Sequence, residues 1–184
     1  MPRKADPQLE KTIVSAAVRL LERGGVEAIT MREVAKVAGT TTPTLYERFT
    51  DREALLEAVT NVYRDELTAR LDPRDSLEQL GRKFLQFCFE KPNAIDLLID
   101  RMALNLENSK KGPIYDMVRI NLVKLSGFSP KAAEEITLAT TSTMAGAAMM
   151  ISRLGRSSRA ANELQEATLK LLRRVANSNQ KRDN

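Results

Sequence analysis

Between residues 30 and 53 the chain reads TMREVAKVAGTTTPTLYERFTDRE, and its polar side chains are mostly hydrogen-bond donors with reach. Arg32, Arg48 and Arg52 carry guanidinium groups, Thr41, Thr42, Thr44 and Tyr46 carry hydroxyls, and Pro43 adds a small apolar ring. Donors of this kind suit phosphates and base edges, and a proline ring or threonine methyl suits the methyl of thymine. Bond-making chemistry is not on offer. The chain holds no histidine and one cysteine, Cys88, which removes the commonest metal ligands and the usual nucleophile–base pairs. No paired-carboxylate motif stands out, so neither an enzyme, a metal nor a cofactor is expected.

These donors need short, well-ended helices to aim them. Thr30 with Glu33 fits a reciprocal capping box, flanked by Ile29 and Val34 at the positions of a hydrophobic staple, and Thr50 with Glu53 repeats the box. Gly39 should close the first helix, and Thr41-Thr42-Pro43 should open the second, with proline where its missing N–H does no harm. From Thr42 to about Phe49, Leu45 and Phe49 turn inward. Thr41, Thr42, Pro43, Thr44, Tyr46 and Arg48 are then left without a core to fill, on a face suited to a DNA groove. The pattern is a helix-turn-helix that launches a third helix.

Composition sets the frame. The 184 residues are 42% hydrophobic and 29% charged, helix formers dominate, strand-like clusters are missing, and 8 glycines punctuate the chain, which argues for an all-α fold. Cys88 alone cannot form an internal disulfide and suits a reducing, cytoplasmic setting, and no N-terminal apolar segment suggests secretion. The longest uncharged run, residues 136–152, is rich in Thr and Ser and reads as a buried helix; no membrane role is expected. The net charge of +5 does not mark the DNA-facing part. Residues 1–70 hold 11 basic and 11 acidic side chains, whereas residues 71–184 hold 18 and 13. DNA affinity must therefore come from placement of a few cations.

Nine helices are expected in order. The first, from Gln8 to Arg23, shows Ile13, Ala16, Ala17, Leu20 and Leu21 on one face and ends at Gly24-Gly25. The fourth, from Asp51 to about Leu71, shows Leu55, Ala58, Val59 and Val62. Five more follow over about 75–90, 95–106, 114–125, 129–153 and, capped by Ser157 or Ser158, to about 175. Ahead of them Arg3 and Lys4 sit in a short arm that either enters a minor groove or is merely solvated. The small residues of Thr140 to Ala148, with Thr140, Thr143, Gly146 and Ala147 prominent, and a stripe of Leu164, Ala167, Leu171 and Val175 could form a four-helix interface between two copies. The other reading is that both helices pack within one subunit.

Gly39 through Leu55, GTTTPTLYERFTDREAL, resembles the signature of the TetR family of bacterial transcriptional repressors. A glycine, a polar run, Thr-Leu-Tyr, a two-residue step to Phe and a basic residue at the fourth helix recur there in this order. The Gly-Gly-Val turn and Thr-x-Arg-x-Val-Ala match as well, so the resemblance covers roughly residues 8–60. Arg48 departs from the family's usual His and Pro43 from a frequent Gly. The resemblance implies an N-terminal helix-turn-helix domain over residues 1–52 and a helical effector-binding and dimerisation domain over 53–178; the polar composition of the tail over 179–184 reads as disordered. It further implies a homodimer on a near-palindromic double-stranded operator, released by a small, apolar effector. The pocket would draw on Phe84, Phe87, Met102, Leu106, Tyr115, Met117 and Met144.

In this reading Arg32 makes a bidentate guanine contact, or else pairs with a nearby carboxylate. Thr41, Thr42, Pro43 and Thr44 reach base edges or near phosphates. Tyr46, Arg48 and Arg52 clamp phosphates, the Tyr46 ring being able to pack on the first helix at the same time. Arg52→Ala should then weaken binding to all DNA alike. The alternatives are a DNA-binding regulator with no small-molecule pocket, controlled by a protein partner, and a small helical enzyme. A membrane role for the last helix, with Arg153, Arg156, Arg159, Arg173 and Arg174, is opposed by its alanine-rich apolar side.

Overall fold

The computed structural model describes residues 7–108, 111–155 and 158–179. The expectations for the arm with Arg3 and Lys4, for Arg156, for Ser157 as a cap and for residues 180–184 of the tail lie outside them. Among the described residues every regular element is helical: α1 (Pro7–Gly24), α2 (Met31–Ala38), α3 (Thr42–Tyr46), α4 (Arg52–Arg70), α5 (Leu77–Glu90), α6 (Ile95–Glu107), α7 (Pro113–Lys124), α8 (Pro130–Leu154) and α9 (Arg159–Asn177). Single 3-10 turns follow α1 (Val26–Ala28) and α5 (Pro92–Ala94).

The first three helices close on a small core because their apolar residues recur at helical spacing. Ile13, Ala16, Ala17 and Leu21 of α1, Met31, Val34 and Ala35 of α2, and Leu45 and Phe49 around α3 are all buried. Gly39 ends α2 in the left-handed region at φ 66°, and the Thr40 N–H reaches the Ala35 carbonyl at 2.9 Å, closing a Schellman-type turn.

Two capping expectations change. Thr30 accepts the Glu33 amide at 3.2 Å, but the return bond is not made: the Thr30 amide goes to the Ala28 carbonyl, while the Glu33 carboxylate stands 3.8 Å from Lys36. The Thr50–Glu53 box is not formed. Asp51 caps α4 instead, accepting the Ala54 amide at 2.7 Å, since a carboxylate one residue on is the stronger acceptor for the exposed amides. The full reciprocal box lies at Ser76 and Gln79, opening α5.

In α4 the buried face is Leu55, Leu56, Val59, Thr60, Tyr63 and Leu67, leaving Val62 exposed and Ala58 half-buried. Tyr63 and Leu67 extend the stripe at i+4 steps from Val59, which turns Val62 outward. The body beyond is built on α5, α8 and α9. Gly81 of α5 permits close approach of α9, since a Cβ there would lie 2.3 Å from Leu172 Cδ1. The α6 helix packs against α4 and α8, and α7 against α8.

Candidate nucleic-acid interface and adjoining cavity

In the α2–turn–α3 segment Arg32, Thr41, Pro43 and Tyr46 are exposed and Thr42, Thr44 and Arg48 half-buried, yet the hydroxyls are not equally free. Thr41 is the N-cap of α3: its Oγ1 accepts the Thr44 amide at 3.3 Å and lies 2.9 Å from Thr44 Oγ1. Both hydroxyls therefore serve the helix start. Thr42 and Pro43, at the first and second helical positions, carry no such internal duty, and Tyr46 is 51% exposed. Arg32 is exposed and free of ion pairs among the described residues, so the carboxylate-paired alternative is not seen. Arg48 is half-buried, with its Nε enclosed and without an acceptor among the described residues.

Arg52 has an internal duty that the sequence did not show. Its Nε donates to the Ile29 carbonyl at 2.7 Å and its Nη2 to the Val26 carbonyl at 2.8 Å, so its guanidinium ties the start of α4 to the turn between α1 and α2. Two of its five N–H donors are thereby engaged, and Nη1 stands 4.0 Å from Glu53, which leaves fewer of them for a phosphate. The head meets the body elsewhere as well. Lys91 Nζ, just before the 3-10 turn ahead of α6, and Asn93 Nδ2 within it reach the Glu22 carboxylate and carbonyl of α1 at 3.3 and 2.9 Å. Arg101 of α6 pairs with Glu53 in the first turn of α4.

A cavity of about 190 Å³ opens between α4, α5, α6, α7 and α8. Phe84, Met102, Leu106, Tyr115, Met117 and Met144 line it, joined by Leu67, Leu80, Ile99 and Val118. Phe87 is not on its wall. It is fully buried on the far side, edge-on to Tyr63 with ring centroids 6.5 Å apart and beneath the Arg70 guanidinium at 5.0 Å. Burial, reinforced by Glu22 and Glu66, pushes the Tyr63 phenol well above its usual range, so it stays neutral there. The lining is also charged and polar: Arg64, Arg101 and Lys111 reach the cavity, as do Thr60, Asn105 and Thr141. In the sequence such side chains are indistinguishable from a solvated face, since their long stems can cover apolar surface while the head points elsewhere.

The proposed interface set splits in two. Thr143, Gly146, Ala167 and Leu171 face outward, and a Cβ on Gly146 would meet nothing within 4 Å. Thr140 and Ala147 are buried within the subunit, Thr140 on the cavity wall with its hydroxyl on the Ile136 carbonyl. Leu164 and Val175 are partly buried against the subunit's own core. The inner face of α9 is Ala161, Thr168, Leu169 and Leu172, so the predicted stripe straddles the two sides of one helix.

Residues 13–59 match the model of the bacterial regulatory proteins of the tetR family. No curated protein matches. Solved structures share the whole fold. A TetR variant from Acinetobacter baumannii AYE in complex with minocycline superposes with a TM-score of 0.70 at 17% identity, covering 98% of this chain and 99% of that one. A tetR-family transcriptional regulator from Streptomyces coelicolor gives 0.69 at 17%, over 95% and 84%. The multidrug binding protein EbrR, complexed with imidazole, gives 0.65 at 18%, over 95% and 93%.

Proposed function

We propose that this chain, whose N-terminal segment belongs to the tetR family of bacterial regulatory proteins, is a cytoplasmic transcriptional repressor that binds a near-palindromic operator as a homodimer and leaves it when a small molecule fills the cavity. One observation carries the reading: α4 is shared. Its first turn is tied to the helix-turn-helix through Arg52, while Thr60, Arg64 and Leu67 farther along the same helix line the cavity. A ligand that prefers one position of α4 must bias the position of the head, and DNA must bias the ligand by the same factor.

In this reading residues 1–52 form the reading head and residues 53–178 the effector-binding and dimerisation body. Arg32, Thr42 and Pro43 face bases, and Tyr46 and Arg48 face phosphates. Thr41 and Thr44 act by shaping the helix start. Two heads spaced about 34 Å apart by a dimer would read successive major grooves. The outward Thr143, Gly146, Ala167 and Leu171 supply a small-residue face on α8 and α9 for that dimer. The bound minocycline and imidazole of the similar structures support a small-molecule cavity over control by a protein partner alone. Selection of binding sites from random DNA by the purified protein tests the whole. The expected product is an inverted repeat with half-sites about one helical turn apart; enrichment of no sequence would end the proposal.

A further inference from the structure

The cations of the cavity are gathered on one side. Arg64, Arg101 and Lys111 line it, no carboxylate does so among the described residues, and the remaining wall is mostly apolar. The same three cations form the border with an adjoining recess, where Glu57 and Asp65 stand. Each cation has a carboxylate outside the cavity: Arg64 lies 4.0 Å from Glu57, Lys111 pairs with Glu134, and Arg101 pairs through Nη2 with Glu53. Arg101 differs from the other two. Its side chain is only 14% exposed, its Nε is buried with no acceptor among the described residues, and its one partner is 62% exposed. A guanidinium so enclosed has donor capacity unmet, and a solvated glutamate holds it weakly.

Resting on the reading of the cavity as the effector site, we propose that its ligand is an amphipathic anion, an apolar carbon body ending in a carboxylate, and that this carboxylate displaces Glu53 from Arg101. Arg101 lines the cavity, and a carboxylate inside it can take two donors of the guanidinium edge now turned to Glu53, in a drier setting than the present pair. Glu53 adjoins Arg52, so releasing it frees the α6 tie at the point where α4 joins the head. The wall selects against cations by charge and against short anions by the apolar area left unfilled.

Calorimetry on the full chain with octanoate, 1-octanol and octylammonium separates the claims. Octanoate is expected to bind at least about tenfold tighter than octanol, with octylammonium weakest. Arg101→Gln should remove that preference, with circular dichroism confirming its fold. Glu53→Gln, at an exposed position, should strengthen octanoate severalfold and leave octanol unchanged. Equal octanoate and octanol affinities, both abolished by the cavity-filling Ala145→Phe, would overturn the anion and spare the cavity. Octanoate affinity unchanged in Glu53→Gln would overturn the displacement. Binding that survives Ala145→Phe, or no binding of any probe, would overturn the cavity reading together with this inference.

Discussion

Arg52 at the start of α4 donates its Nε–H to the carbonyl of Ile29, 23 residues earlier, at 2.7 Å. With the second bond to Val26 it closes the head onto the helix that leads to the cavity. Arg52→Ala should therefore cost stability before it costs DNA contacts. Two charge-assisted bonds to carbonyls that water can partly reclaim are worth about 1–2 kcal/mol together, or a fall in Tm of roughly 3–6 °C. Lysine should restore little, since one ammonium cannot span both carbonyls as the guanidinium fork does. A melting curve with an unchanged Tm would refute this role, and a salt slope of DNA binding reduced by one would reinstate the phosphate clamp.

Thr41 and Thr42 are neighbours with different duties, and operator binding should separate them. Thr41→Ala removes the cap of α3, costing about 1 kcal/mol of stability and weakening all sequences alike. Thr42→Ala and Arg32→Ala should instead change the order of preference among operator variants, by about 1–3 kcal/mol at the contacted base. Gel shifts on a panel of single-base variants decide this. Parallel losses for all three substitutions would reject base reading by Thr42 and Arg32.

Leu171 and Leu172 fall on either side of the burial boundary of α9, one 45% exposed and the other buried against Gly81 and the core. If the outward face of α9 carries the proposed dimer, Leu171→Asp should leave a monomer in sedimentation while circular dichroism stays unchanged. Leu172→Ala should destabilise the subunit by about 2–5 kcal/mol. Gly81→Ala should cost about 1–3 kcal/mol, because its new methyl would press on Leu172. A Leu171→Asp protein that still sediments as a dimer would move the interface elsewhere.

Glu78 of α5 receives two bonds from the Arg173 guanidinium of α9, at 2.6 and 2.7 Å, and Arg173 with Arg82 holds its carboxyl below the usual 4.5. A depressed folded-state value means that the contribution is present above about pH 4.5 and lost as pH falls through the lower folded value. Glu78→Gln should thus lower Tm at pH 6–7 by a degree or two at most, Arg173 being largely solvated, and the gap to the parent should narrow as the pH falls below about 4.5. A gap that persists or widens in acid would show that packing, not charge, is what the substitution removes.

Helix order, the Gly39 turn, the inward Leu45 and Phe49 and the Ser129-Pro130 start of α8 were all legible from residues, because periodic burial, caps and left-handed glycines act over one or two turns. The exposed face of α3 was equally plain once Leu45 and Phe49 were assigned to the core. Competition between adjacent acceptors was harder. Thr50 and Asp51 both suit a cap, and the stronger carboxylate acceptor of Asp51 takes the Ala54 amide.

What local chemistry could not decide was where long side chains end. Arg52 looks alike whether its guanidinium meets a phosphate or the carbonyls of Val26 and Ile29, and only the fold brings those carbonyls within 2.8 Å. Nothing local sets Arg64, Arg101 and Lys111 apart from other cations; only the convergence of α4, α6 and the segment before α7 brings them to one cavity. Residue patterns settled which segments are helices, most of the buried faces of the head helices, and that the head carries the tetR-family pattern. The tertiary structure alone decided which donors remain free to act, since a hydrogen bond between distant residues depends on where the chain places its acceptor.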